Sequence, residues 1–451
     1  MSATPAQRAV PTEKCPHRSG AADGPQLTDL LENPRGFVAA VRSAEEVVAI
    51  RLGSRKLHLV TSPDLVEQIL VDEATKFDAG SAPDGPGPAF GHGLAACPGS
   101  VRAARRRVIE PAFHWSRLAD HARIAADTAA EAAGSWTDRT ELDIPREMTH
   151  LSLATITRSL VAGPAGLELT RALRETLPAM LDDLPGLASA EPPLRPTPDA
   201  VRTALAEALD HRRSSPEHHT DALSLLLAAQ GEAGGSALTD DEIAEELTGL
   251  VLAGTEAPAA VLSWVLHEVS RRPDIEERIL AEIAEVLGDR PPTAADFTAL
   301  LYTRQVVGEA LRCYARPFLL RRASEPVLLG DRRLAPGDEI LISPYALHHD
   351  PGLFPEPDCF DPYRYNGPAA RRMLIPFGSD DHGCVGAGSA WQGTTIALVA
   401  LLSRWRFLPV SDQPVQPVLG RTVRPNRLVL AVSCRPGPPS SGAGAVVNAP
   451  Q

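Results

Sequence analysis

Cys384 stands between two glycines in the run Pro376-Phe377-Gly378-Ser379-Asp380-Asp381-His382-Gly383-Cys384-Val385-Gly386, and an apolar segment of helical character, residues 387–402, follows at once. A thiol just ahead of a helix start meets unpaired backbone N–H groups and the positive end of the helix dipole. Both favour the thiolate, which is a nucleophile and a soft metal ligand. Small neighbours let a flat cofactor approach the backbone closely. A lone cysteine is more often just a small buried apolar side chain, so other segments have to decide. Glu309 and Arg312, in Glu309-Ala310-Leu311-Arg312, can pair on one helix face, as ordinary surface residues also do. Ala253-Gly254-Thr255-Glu256-Ala257 sets a carboxylate among small residues in the middle of a long helical pattern. Pro258 follows, withdrawing an N–H and freeing a carbonyl near residue 254.

The elements that must hold these groups read as mostly helical. Thr239-Asp240-Asp241-Glu242 is a capping box, with a small polar N-cap and a glutamate three residues on. The helix it opens carries Ile243, Leu247, Leu250 and Val251 at helical spacing and can run to Arg272. That is roughly 48 Å at about 1.5 Å per residue, long enough to cross a whole domain. Pro273 then begins a second helix, whose apolar face is Ile275, Ile279, Leu280, Ile283, Val286 and Leu287 and whose stop is Gly288. Strand signals are fewer. Residues 47–52 and 56–60, with Gly53-Ser54-Arg55 between them, read as a hairpin, and residues 326–329 and 339–342 flank the turn Pro336-Gly337-Asp338. Gly/Pro-rich loops at 79–100 and 185–198 are too long for plain connectors and suit lids or binding loops. The expectation is a mainly α protein with a small β portion: one domain over residues 26–435, with disordered ends at 1–25 and 436–451.

Composition narrows the function classes. Of 451 residues, 43% are hydrophobic and 22% charged, as in soluble globular proteins. A net charge of −13 offers nothing to nucleic acid. The N-terminal stretch lacks the apolar core of a secretory signal, and no unbroken run of apolar residues is long enough to suggest a membrane span. The cysteines (Cys15, Cys97, Cys313, Cys359, Cys384 and Cys434) are scattered, which argues against a disulfide framework or a zinc site. A soluble, cytoplasmic, monomeric protein is expected.

Taken in order, the segments resemble the cytochrome P-450 family, the haem-thiolate oxygenases. Phe377, His382, Cys384 and Gly386 match the family's cysteine loop, while Asp380 replaces its first glycine. Glu309-Ala310-Leu311-Arg312 matches a second signature, residues 360–365 the segment whose arginine joins that pair, and residues 253–257 a third. The resemblance runs from about Pro34 to Arg435. It implies the cytochrome P-450 fold, with a long central helix over haem b (iron protoporphyrin IX). It also makes Cys384 the axial thiolate, with Phe377 and Gly386 in the cofactor loop. Arg102, Arg106, Arg321 and His382 are implied partners of the haem propionates, and Glu309, Arg312 and Arg364 a buried structural cluster. Substrate contacts are implied for the 76–97 and 185–198 loops, for Leu250, Ala253 and Gly254, for Phe318 and Leu319 within 317–320, and for 422–427. These segments are mostly small or apolar, which suits a hydrocarbon ligand.

The wording of residues 341–348 resembles bacterial members that oxidise terpenoids in secondary metabolism. Electrons would come from a ferredoxin and its reductase, and Arg371 and Arg372 offer an acidic carrier its docking charge, opposed by Asp380 and Asp381. The family pairs an acid with an alcohol on the long helix, and the alcohol helps deliver protons to the reacting oxygen. Here the acid is Glu256 but the alcohol position is Ala257. A monooxygenase of a hydrophobic metabolite is the leading expectation. The alternatives are cyclisation, coupling or nitrogen-group transfer without ordinary oxygen activation, and a non-catalytic haem sensor.

Overall fold

The computed structural model describes residues 30, 32–42, 45–52, 55–79, 93–94, 99–182, 197–214, 219–231, 238–366, 374–379 and 383–435. The two chain ends, most of both long loops, His382, Asp380, Asp381, Arg371 and Arg372 lie outside the described residues. Within them the protein is mostly helical with small sheets, as the sequence led one to expect.

The capping box forms as expected. Thr239 Oγ1 accepts the Glu242 N–H at 3.2 Å, and Glu242 Oε2 accepts the Thr239 N–H at 2.9 Å. From it a 32-residue helix, Asp240–Arg271, runs through the protein. Its two halves serve different cores. Leu247, Val251 and Leu252 join Leu173 and Leu205 of the Pro164–Asp182 and Asp199–Ser214 helices. Leu262, Val265 and Val269 join Ala129, Val307 and Leu398, from helices Leu118–Ser135, Leu301–Cys313 and Ala387–Arg404. The long helix is long and apolar enough to cross a bilayer, although polar residues interrupt its apolar stretch. Its apolar faces are spent on these two protein cores instead.

Between the cores, residues 253–258 belong to neither cluster. Ala253 and Ala257, one turn apart on the same face, are exposed in a helix that is otherwise largely buried. Beside them Gly254 lets the Ile144–Leu160 helix come close: a Cβ there would stand 2.5 Å from Ile156 Cγ1.

The main sheet has five strands in the order Val47–Leu52, Arg55–Val60, Glu339–Ile342, Leu319–Ala323, Phe77–Ala79. The first two form the expected antiparallel hairpin, with Val47 opposite Val60. Arg55–Val60 then runs parallel to Glu339–Ile342. One expectation is corrected. Val327–Leu329 does not pair across the Pro336-Gly337-Asp338 turn but with Arg332–Leu334, because Gly330 at φ +61° closes a tighter local hairpin. The Leu319–Ala323 strand was not anticipated, since the short alternation in Leu-Leu-Arg-Arg-Ala looks like a basic loop. A separate hairpin, Pro417–Leu419 with Val423–Pro425, carries Arg421 and Thr422 at its tip.

The Gly254 contact makes a direct prediction. Gly254→Ala should destabilise the protein by about 1–3 kcal/mol through overpacking, and Ile156→Ala in the same chain should recover part of the loss. Denaturant midpoints of the two single variants and the double variant measure the coupling.

Candidate active site

Cys384 is held by its own loop. Its N–H donates to the Phe377 carbonyl at 2.8 Å, and the helix Ala387–Arg404 begins three residues later. The thiol is accessible, yet burial is the largest influence on it and pushes its pKa up. The Gly386 N–H, and the charges of Arg316 and Arg106, pull the other way. The thiol is thus open on one side, with protein packed around the rest of it. Gly386 faces the Phe113 ring, which a Cβ there would meet at an ordinary contact distance of 3.5 Å.

The loop is tied to the helix bearing Glu309 and Arg312 by a continuous hydrogen-bonded path. Both side chains are fully buried. Arg312 donates from Nε and Nη2 to the two Glu309 oxygens at 2.9 and 2.8 Å, and from Nη1 to the His348 carbonyl at 2.6 Å. The His348 ring accepts the Ile375 N–H at 3.2 Å, two residues before Phe377. Arg364 adds its Nε to Glu309 at 3.3 Å and its Nη2 to the Cys359 carbonyl at 3.1 Å. The grouping of Glu309, Arg312 and Arg364 expected from the sequence is thus present as a contact cluster.

The basic residues arrive on two elements. Arg102 and Arg106 lie one turn apart on the Gly99–Ile109 helix, where Arg102 Nη1 donates to the Leu94 carbonyl at 2.7 Å and Arg106 Nη1 to the Gly383 carbonyl at 2.8 Å. Arg321 is buried on the Leu319–Ala323 strand, its Nη1 donating to the Leu320 carbonyl at 2.9 Å. Arg105, between them, is buried and pairs with Glu242 at 2.6 Å, with Glu246 at 3.6 Å beyond it. Glu246 also accepts the Leu94 N–H. This lock between the arginine helix and the long helix went unnoticed in the sequence, where Glu242 reads only as a cap.

The residues expected to line a substrate pocket divide. Ala253 is exposed, Gly254 packs on Ile156, and Leu250 packs against the core that includes Leu247 and Val251. Phe318 and Leu319 pack into the apolar clusters of the sheet. Glu256 is not a free carboxylate. Its Oε1 accepts the Thr422 hydroxyl at 3.0 Å, and its Oε2 lies 3.3 Å from Arg421 Nε. Ala257 is exposed beside it, and the neighbouring Thr255 hydroxyl turns back to the Val251 carbonyl at 2.7 Å. The expected apolar lining therefore has a charged section. Arg316, also missed, was legible only as an oddity: a guanidinium between Ala315 and Pro317 in an otherwise apolar link.

The donor set suits a haem. An accessible soft thiol receives a backbone N–H, glycines stand on both sides of it in the loop, and guanidinium groups able to meet carboxylates arrive from helix and strand. Comparison with known proteins agrees. The family model described as Cytochrome P450 matches residues 28–431. The chain is 32% identical over 426 residues to cyclooctatin synthase of Streptomyces melanosporofaciens, covering 89% of this chain and 92% of that one. It is 33% identical over 429 residues to cyclooctat-9-en-7-ol 5-monooxygenase of the same organism, covering 90% and 93%. Pentalenene oxygenase of Streptomyces avermitilis is 29% identical over 423 residues, with 90% and 94% covered. Fold, thiol loop, buried cluster and relatives lead to one conclusion: the chain belongs to the cytochrome P450 family, oxidoreductases that bind haem b through a cysteine thiolate.

Proposed function

We propose that this enzyme is a monooxygenase of a terpenoid in secondary metabolism, with Cys384 as the iron ligand. The observation that carries the reading is the accessible Cys384 thiol, which receives the Gly386 N–H in a loop tied through Ile375 and His348 to the buried Glu309–Arg312 pair. The names and extensive coverage of the Streptomyces relatives support the substrate class. Haem bound at this thiolate supplies an electron-rich iron that favours cleavage of the O–O bond and transfer of one oxygen atom. The chain's own residues position it: Arg106, Arg321 and Arg102 offer donors for the propionates, and the Glu309–Arg312 cluster holds the loop in register. Electrons arrive from a separate ferredoxin and its reductase, in the cytoplasm, to a monomeric enzyme.

A second reading, cyclisation, coupling or nitrogen-group transfer that does not need ordinary oxygen activation, is favoured by one observation. The acid of the long helix is held by Thr422 and Arg421, and the residue after it has no hydroxyl. Incorporation of label from isotopically labelled O₂ into product separates the two: its absence during turnover sinks the monooxygenase reading.

The reduced protein with carbon monoxide should show the red-shifted Soret band of thiolate ligation, and Cys384→Ser should lose it. Survival of the band in that variant would remove Cys384 from the site. Arg106→Leu should weaken haem retention about tenfold or more, since a charge-assisted hydrogen bond contributes about 1.5–3 kcal/mol. Haem transfer to apomyoglobin gives the rate.

Ala257→Thr should not raise coupled turnover. Thr248, Thr255 and Ser263 on the same helix all donate to the carbonyl four residues back, at 2.8, 2.7 and 2.7 Å, and a new hydroxyl at 257 has the Ala253 carbonyl available in the same way. The ratio of product to peroxide, measured with a terpenoid alcohol that the enzyme oxidises, checks this. A proton donor that did reach the reacting oxygen would raise the step by about 10²–10⁴-fold.

A further inference from the structure

Glu246 is a carboxylate at a place where the long helix is otherwise packed with apolar side chains. Ile243, Leu247 and Val251 around it are buried, and Glu246 itself is only 1% exposed. A carboxylate in such surroundings is costly unless its oxygens are used. Both are used on one backbone group: the Leu94 N–H donates to them at 3.0 and 2.8 Å. The carbonyl of the same residue accepts Arg102 Nη1 at 2.7 Å. The Leu94 side chain is buried in the core that holds Leu247 and Val251. Leu94 is therefore a fixed bridge, with a carboxylate at its N–H and a guanidinium at its carbonyl.

The same carboxylate meets the Gly99–Ile109 helix a second time. Arg105, one turn along from Arg102, places Nη1 at 3.6 Å from Glu246 Oε2. Its Nη2 donates to Glu242 at 2.6 Å. Arg105 would keep Glu242 without Glu246, so the second carboxylate is not needed to neutralise it. What a buried charge adds is register: apolar surfaces tolerate small slides and rotations, whereas a buried pair is satisfied in one arrangement. Glu246 thus fixes both the helix that carries Arg102 and the direction in which the Arg102 guanidinium leaves it.

We propose that Glu246 is a positioning residue for the haem: through Leu94 and Arg105 it aims the Arg102 guanidinium at a propionate. The proposal rests on the haem reading, in which Arg102 offers a donor to a propionate, and deepens it by naming the group that sets that donor.

The test is the rate of haem transfer from the haem-loaded protein to apomyoglobin in wild type, Glu246→Leu, Arg102→Leu and the double variant. Leu205→Ala, a cavity in the same core on a third helix, measures plain destabilisation. Glu246→Leu and Arg102→Leu should each speed haem loss about tenfold, the worth of one charge-assisted hydrogen bond. The double variant should lose haem at no more than about twice the Arg102→Leu rate, because Glu246 then has nothing left to aim. Glu246→Gln keeps an oxygen for the Leu94 N–H but no charge for Arg105, so it should fold even if the apolar variant does not. It should lose haem about threefold faster than wild type, a rise that Arg102→Leu also abolishes. Effects that multiply in the double variants, wild-type haem loss in both Glu246 variants, or an equal rise in Leu205→Ala would overturn the proposal alone. Wild-type haem loss in Arg102→Leu would overturn it together with the propionate role of Arg102, while a thiolate carbon monoxide band would still keep Cys384 as the ligand.

Discussion

The buried Glu309–Arg312 pair is the constraint from which the position of the thiol follows. Two charges with no exposure are costly to desolvate, and their attraction compensates only when the remaining lone pairs and protons are used. Here they are used on segments distant in sequence. The Arg312 donors that remain go to the carbonyls of His348 and Pro357, and Glu309 Oε1, besides Arg312, takes the Asp361 N–H and the Arg364 guanidinium. Satisfying the pair therefore fixes residues 348–364 against the helix, and His348 in turn holds Ile375 at the entrance to the cysteine loop. Removing one member would strand a buried charge, at a cost of about 3–5 kcal/mol, and would loosen the loop along with the core.

The second constraint is the division of one helix between two cores. A helix that buries apolar residues against one core near its start and another near its end has an interval where neither core reaches. In that interval the residues are small, and Ala253 and Ala257 leave room for a ligand. Gly254, on the side facing the Ile144–Leu160 helix, permits close approach there, so the two faces of the same turn do opposite things. Pro258 ends the interval without ending the helix.

Chemistry in the cleft is then set by which polar groups enter it. The hydroxyls of the long helix are drawn back onto their own backbone, and its one acid in this stretch is held by the Pro417–Pro425 hairpin. With Arg421 and Thr422, that carboxylate gives an otherwise small-residue interval a charged section.

The sequence by itself determined the features that rest on short-range chemistry. The capping box and the long helix it opens, the Pro273 helix, the Val47–Val60 hairpin and the cysteine loop follow from side-chain oxygens, ring constraints and periodicity acting within a few residues, and motif spacing was enough to identify the family. The tertiary structure decided what depends on partners far apart in the chain. Strand Leu319–Ala323 exists because Glu339–Ile342 and Phe77–Ala79 flank it, and its own pattern is too short to announce it. Arg105 proved to be a buried lock and Glu256 a tied carboxylate because Glu242, Arg421 and Thr422 lie 137 to 166 positions away. Neither role is legible locally, because the cost of a charge is set by the partners and medium the fold places around it and not by its neighbours in sequence.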